Sequence, residues 1–401
     1  MSAIATMTPT IGATVRDRAV AGEGADDMAR SPSLEHRVRS TSSRTTPTVF
    51  FADVVHARMQ QSDRLAFRMP ETTEPSEIDL ALLGALEINP RADWTAIGAA
   101  LDLSATTVAR RWAVLRAAGD AWVTPSPGHL FVAEAGCAFA YLAIDPAHLE
   151  TAIAVLAACP TFATISRVTG EYDLMLDCFG ASLPSLLEDI GAALAAVPGI
   201  LRKEILVATR LHRHGTQWRS GTIAPAQART LQQERTASAG RRQVEVQLVE
   251  ALTRDGRLTW EQLGAVLERS AQTARRHTTS LLSRGILTLR CDRARRYDSS
   301  RREASFIMSV PAPRLEEAAR FFAEQPSCRL SVEVFGSANL AATLWVQDLV
   351  ELQRIEVALM SRIPEVAVRQ RTLSMRTDKR LGHVLDHEGR SVAVVPMVFP
   401  S

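Results

Sequence analysis

Two short runs carry side chains whose types and spacing suit contact with a nucleic acid. Residues 104–111 read SATTVARR and residues 270–276 read SAQTARR. In each, a serine stands three residues before a threonine, Ser104 before Thr107 and Ser270 before Thr273, the spacing of a helix cap. Helices starting there present Thr106 and Arg110, with Arg111 beside them, in the first run, and Gln272, Arg275 and Arg276 in the second. Arginine can bond guanine with two donors, glutamine can do the same to adenine, and a helix fits the major groove. The plainer alternative is that these arginines solvate a helix surface. A second cluster, Arg290, Arg293, Arg295, Arg296, Arg301 and Arg302, suits a phosphate backbone, adding affinity and salt dependence without sequence information. A solvated loop is its alternative. A third candidate is the loop of Gly170 and Asp173, with Gly336 and Asn339 in a matching position. Glycine permits close approach and a carboxylate can hold an ammonium group; equally, an Asp in a turn can bond its own backbone. Asn339 lacks the charge, so unequal effector sites are expected. His212 and His214 have no third ligand at metal spacing. No Ser-His-Asp set, paired carboxylates or glycine-rich phosphate loop stands out, so neither catalytic residues, a metal nor a cofactor is expected, and the chain is read as not an enzyme.

The chain that carries these residues has 401 of them, 46 basic and 44 acidic, for a net charge of +2. That excludes a uniformly basic coat but not a local basic face. Only Lys203 and Lys379 are lysines, so 46 − 2 = 44 are arginine; codon bias explains this as readily as function does. Five scattered cysteines without a CxxC pair argue against zinc ribbons and disulfide frameworks, which fits a reducing cytoplasm. No apolar run approaches the roughly 18 residues of a membrane span, and no secretory leader is legible.

An internal repeat organises the whole. Shifting Trp94 onto Trp260, an offset of 166, brings Arg91, Gly98, Ser104, Thr107, Arg110, Leu115 and Gly119 onto identical residues, and later Pro160, Gly170 and Pro198 as well. Two copies at this period imply a duplicated domain pair rather than a solenoid. Each copy opens with three short helical patterns, the third ended in the first copy by Gly119, and then a small β-hairpin, across 121–132 around Pro125-Ser-Pro-Gly128 or across 286–297, the order of a winged helix-turn-helix. Each continues strand, helix, strand, strand, helix, strand. That βαββαβ order predicts a ferredoxin-like sheet with one uncovered apolar face, for which the other copy's sheet is the nearest partner. The fold class expected is therefore α+β: two winged helix-turn-helix domains (75–132, 241–300) alternating with two ferredoxin-like effector domains (133–212, 301–401). A mostly disordered tail spans 1–74 and a polar linker 213–240.

This arrangement resembles the Lrp/AsnC family of transcription regulators. The resemblance rests on Ser104, Thr107, Val108, Arg111, Leu115 and Gly119, on the weaker set Ser270, Thr273, Leu281 and Gly285, and on Gly170-Glu-Tyr-Asp173 against Gly336-Ser-Ala-Asn339. It implies double-stranded DNA as partner, a small-molecule effector such as an amino acid, and self-association through the effector sheets. Two alternatives remain: a ligand sensor without DNA binding, and an enzyme of the siroheme-decarboxylating kind, which resembles the same two-domain unit. The latter needs His and Arg side chains in the effector cleft, where only Arg167, Arg202 and Arg329 offer themselves.

Overall fold

The structure is a computed structural model that describes residues 75–128, 135–232, 244–298 and 301–399. The stretch 1–74, expected as tail, lies outside the described residues. Helices α1 (Glu77–Ile88), α2 (Trp94–Leu101) and α3 (Ala105–Ala117) come first. The hydroxyl of Ser76 accepts from the Asp79 amide at 3.1 Å and that of Ser104 from the Thr107 amide at 3.0 Å. Each satisfies an amide at a helix start that has no partner within the helix. Leu82, Leu86, Ile97, Val108, Trp112 and Leu115 close the core between the three. At Gly119, φ is +72° and an added Cβ would lie 2.4 Å from the Ser391 carbonyl oxygen, so the turn into strand β1 (Ala121–Pro127) requires glycine.

The first sheet set follows: β2 (Gly136–Ile144), α4 (Leu149–Ala158), β3 (Phe162–Val168), β4 (Leu174–Gly180), α5 (Leu183–Ala195) and β5 (Ile200–Arg213). After α6 (Pro225–Leu231) come three more short helices, α7 (Val246–Arg254), α8 (Trp260–Val266) and α9 (Ala271–Ser283), then β6 (Leu287–Arg293). The second sheet set is β7 (Arg302–Ser309), α10 (Leu315–Glu324), β8 (Cys328–Phe335), β9 (Leu340–Val346), α11 (Leu349–Arg362) and β10 (Ala367–Arg380). Short strands β11 (His383–Leu385) and β12 (Ser391–Val394) extend from β10. The mixed α+β class is the one expected from the sequence.

Both sets have the same strand order, β3-β4-β2-β5 and β8-β9-β7-β10, and both are antiparallel throughout. Period-two alternation explains their packing. In β2, Ala138, Ala140 and Leu142 pack under Ile153, Leu156, Leu186 and Ile190 of α4 and α5. Cys137, Phe139 and Tyr141 point the other way, into a core shared with Ile307, Val332 and Val334 of the second set. The sets also join edge to edge, β5 with β8 and β10 with β3, which closes an eight-stranded ring. Ala208 faces Val334 at one junction and Ser374 faces Val168 at the other; each residue of the second pair corresponds to one of the first at an offset of 166. Closure pairs all four edge strands of the two sets, β3, β5, β8 and β10.

Two expectations change here. The segments 121–132 and 286–297 were expected as separate hairpins, the wings. Instead β1 pairs antiparallel with β6 over seven residues, from Ala121↔Arg293 to Pro127↔Leu287. The two three-helix units thus share one ribbon, because a matched partner strand from the other half is close by; residues 129–134 lie outside the described residues. The polar stretch 213–240 was expected as flexible linker. Residues 214–232 pack against the body: Ser220 donates to Glu87 at 2.7 Å, Gln227 donates to the Ala100 carbonyl at 2.8 Å, and Trp218 and Leu231 are buried. Residues 233–243 are outside the described set.

Candidate functional site

Helices α3 and α9 each turn a polar face outward. Thr106 and Arg110 are exposed on the first, and Gln272, Arg275 and Arg276 on the second. The other residues of these runs hold the fold. Ser104 and Thr107 bond each other at 2.8 Å, and Ser270 and Thr273 do so at 2.9 Å. Arg111 donates to Asp79 of α1 at 2.9 Å and to Ser76 at 3.2 Å. These bonds make Arg111 a brace between α3 and α1.

The two three-helix units, α1–α3 and α7–α9, are clamped by a reciprocal exchange. Arg91 donates to the carbonyls of Gly256 and Leu258 at 2.6 and 2.7 Å, and its guanidinium lies 4.0 Å from the ring centre of Trp260. Arg257 donates to the carbonyls of Pro90 and Ala92 at 2.6 and 2.8 Å and lies 3.7 Å from Trp94. Burial lowers each arginine to about 10, so both remain charged at neutral pH. With the β1–β6 ribbon, this clamp ties α1–α3 to α7–α9.

The expected basic wing is mostly absent. Arg293 is 7% exposed and held by Glu87 at 2.8 Å and Asp298 at 2.8 Å. Arg296 is ion-paired with Asp120, and Arg290 with Asp292. Their charges are compensated inside the protein, so Arg293 and Arg296 are corrected from phosphate contacts to internal ties. Arg295 remains exposed.

The effector-loop residues also serve the backbone. The Asp173 carboxylate accepts from the Ile144 amide at 2.7 Å. Asn339, at the matching position, accepts from the Val310 amide at 2.8 Å and donates to its carbonyl at 2.7 Å. Gly170 has φ +109°, whereas Gly336 packs with an added Cβ only 2.7 Å from Leu206. The turn reading therefore accounts for Asp173 and Asn339 without a ligand. Asp173→Asn is expected to leave stability within about 0.5 kcal/mol, since Asn339 performs the same task. Asp173→Ala should cost about 1–2 kcal/mol by orphaning the Ile144 amide, measured by urea denaturation.

Sequence reasoning missed a group at the mouth of the barrel. Arg290 of β6, Arg329 of β8 and Arg380 of β10 converge there with Trp345, His214 and Gly215 around a cavity of about 140 Å³. In the sequence Arg290 belongs to the basic cluster and only Arg329 to an effector cleft; Arg329 sits at the register shift between Cys328 and Leu330. The other candidates for such a cleft lie elsewhere. Arg167 is tied to Glu150 and Asp378, and Arg202 to Glu171 at 3.1 Å. His212 bonds Glu333 at 2.7 Å, and His214 bonds Thr216 at 2.5 Å.

Residues 76–116 match the AsnC-type helix-turn-helix domain, a span that covers α1 to α3. No curated protein matches the chain. Among solved structures, it is similar to the siroheme decarboxylase NirDL in complex with an iron-uroporphyrin III analogue. Identity there is 13% and the TM-score 0.47, covering 79% of this chain and 95% of that one. It is also similar to AsnC of E. coli, at 21% identity and TM-score 0.29, over 34% of this chain and 94% of the other. A regulator from Neisseria meningitidis in complex with L-Met matches at 17% identity and TM-score 0.29, over 35% and 93%. The expectation that the chain is not an enzyme is withdrawn, because structures of the siroheme decarboxylase NirDL align over 79% and 76% of it. Among the described residues, no helix is long and apolar enough to cross a membrane.

Proposed function

We propose that this chain is a DNA-binding transcription regulator of the Lrp/AsnC type, built of two tandem units and responsive to a small molecule. Helices α3 and α9 read DNA through Thr106, Arg110, Gln272, Arg275 and Arg276, with Arg295 free to meet phosphate. One observation carries the reading: the AsnC-type helix-turn-helix match coincides with a third helix whose Thr106 and Arg110 face solvent while its caps and brace hold the fold. The clamp adds that two reading helices move as one body, so a target needs two half-sites at fixed spacing. A ligand acts on such a protein only by favouring one arrangement over another.

The test is fluorescence anisotropy of the gene's own promoter fragment and of random DNA, across a salt series. Arg110→Ala and Arg276→Ala are each expected to weaken specific binding by about 1–3 kcal/mol. Arg111→Ala should instead lower stability and leave the affinity of folded protein unchanged. Equal affinity for promoter and random DNA at every salt concentration rules the reading out for that site.

A second reading, an enzyme acting on a carboxylated substrate, is favoured by the three arginines and His214 around one cavity. Its test is an absorbance titration with a carboxylated iron tetrapyrrole. A spectral change supports it, and an unaltered spectrum removes it.

A further inference from the structure

The barrel cavity has two chemically different ends. Phe139, Met175, Phe179 and Val332 form an apolar wall continuous with the barrel core. Arg290, Arg329 and Arg380 form a cationic mouth. Two of these are already compensated: Arg290 by Asp292, and Arg380 by Glu303 at 3.6 Å. Arg329 makes no hydrogen bond or ion pair with the described residues. Its guanidinium lies over Trp345 at 3.8 Å and toward Trp218 at 5.0 Å. Burial, and then the neighbouring Arg290, lower its pKa to about 9, which leaves it charged at neutral pH. Asp292 and Glu303 favour the charge from nearby without bonding it, and a charge held away from bulk water without a directly bonded anion destabilises the protein that carries it. Such an arrangement persists most readily where a ligand completes it.

We propose that this cavity binds a small monocarboxylate with an apolar body, its carboxylate on Arg329 and its body along Phe139, Met175, Phe179 and Val332. A guanidinium presents two parallel donors that match a carboxylate. The wall also carries Asp177, which burial pushes up to about 6 and which bonds Thr164. An acidic wall residue restricts the ligand to a single negative charge. Size restricts it further: an engineered apolar cavity of about 150 Å³ takes one benzene ring. The site deepens the effector half of the regulator reading, yet binding itself does not depend on DNA.

The experiment uses the full chain with sodium benzoate and its uncharged analogue benzamide, followed by tryptophan fluorescence and thermal denaturation. Benzoate is expected to change the emission saturably and raise Tm by mass action, with benzamide at least about tenfold weaker. Arg329→Met should raise Tm in the absence of ligand and lose the benzoate response, which a purely structural arginine would not do. Arg329→Lys, which keeps the charge without the fork, should retain a weaker response. Three results overturn the proposal: equal responses to benzoate and benzamide, no response to benzoate at about 10 mM, or unchanged benzoate affinity in the Met variant. Benzoate binding with no change in DNA affinity upholds the site and removes its regulatory role. Loss of specific DNA binding in the anisotropy assay leaves the site untouched.

Discussion

Arg91→Ala and Arg257→Ala are each expected to lower stability by about 3 kcal/mol, and the double variant to show coupling of about 1 kcal/mol. Removing Arg91 leaves the Gly256 and Leu258 carbonyls without their donors and uncovers one face of Trp260. The loss is large because hydrogen bonds from a charged donor are worth about 1.5–3 kcal/mol each. Coupling follows from geometry, since the two arginines lie in contact with each other's loops: Arg257 reaches Pro90 and Ala92, the neighbours of Arg91. Loosening one side therefore releases the other. Urea denaturation of the wild type, both single variants and the double variant gives the cycle directly. Binding to a DNA fragment with two half-sites should fall further than binding to a single half-site, because only the former needs the helices held in register. Single losses below about 1 kcal/mol with full additivity would show that the clamp carries little of the interface.

What the sequence disclosed was local. Ser104 and Ser270 announced helix starts, Gly119 a helix end, and the strand-and-helix order of each copy a sheet with one uncovered apolar face. These signals act within a few residues, where periodicity and capping chemistry suffice. The β1–β6 ribbon joins Thr124 to Arg290, 166 residues apart, and no short-range pattern specifies such a partner. Pro125 and Gly128 suggested a turn because turn chemistry is local; the competing strand is not. The same limit explains the arginines. Arg293 read as a wing residue from its basic neighbours, but Glu87 of α1 and Asp298 claim its charge. Trp94 and Trp260 mark the register of the repeat in the sequence, and in the fold each forms the platform for an arginine from the other half. The cavity was least legible, since β6, β8 and β10 each contribute one arginine and only the closed ring brings them together.

Lys379→Met is expected to stabilise the protein at neutral pH and to flatten its pH dependence above pH 7. Lys379 is one of two lysines in the chain and is fully buried on β10, where its ammonium donates to the Cys159 carbonyl at 2.8 Å. Burial lowers its pKa from 10.5 to about 7. The sign follows from proton counts. Between pH 7 and 10.5 the unfolded lysine binds a proton that the folded one has largely released, so wild-type stability rises with pH across that window. The slope is at most about 1.4 kcal/mol per pH unit. Below pH 7 the folded lysine is protonated too, and the full cost of burying the charge is present. Methionine fills the same space, carries no charge and gives up one hydrogen bond worth about 1 kcal/mol. The largest gain is therefore expected near and below pH 7, and the smallest near pH 10, where wild-type lysine is neutral when folded. His383 provides an internal control at the acid end. It is buried, bonds Ser391 and the Thr253 carbonyl, and is lowered to about 4 by burial, so both proteins should lose stability alike as pH falls from 6.5 toward 4. Urea midpoints at half-unit intervals from pH 4 to pH 10 separate the two effects. An identical slope above pH 7 in both proteins would assign that pH dependence to other groups and refute the role given to Lys379.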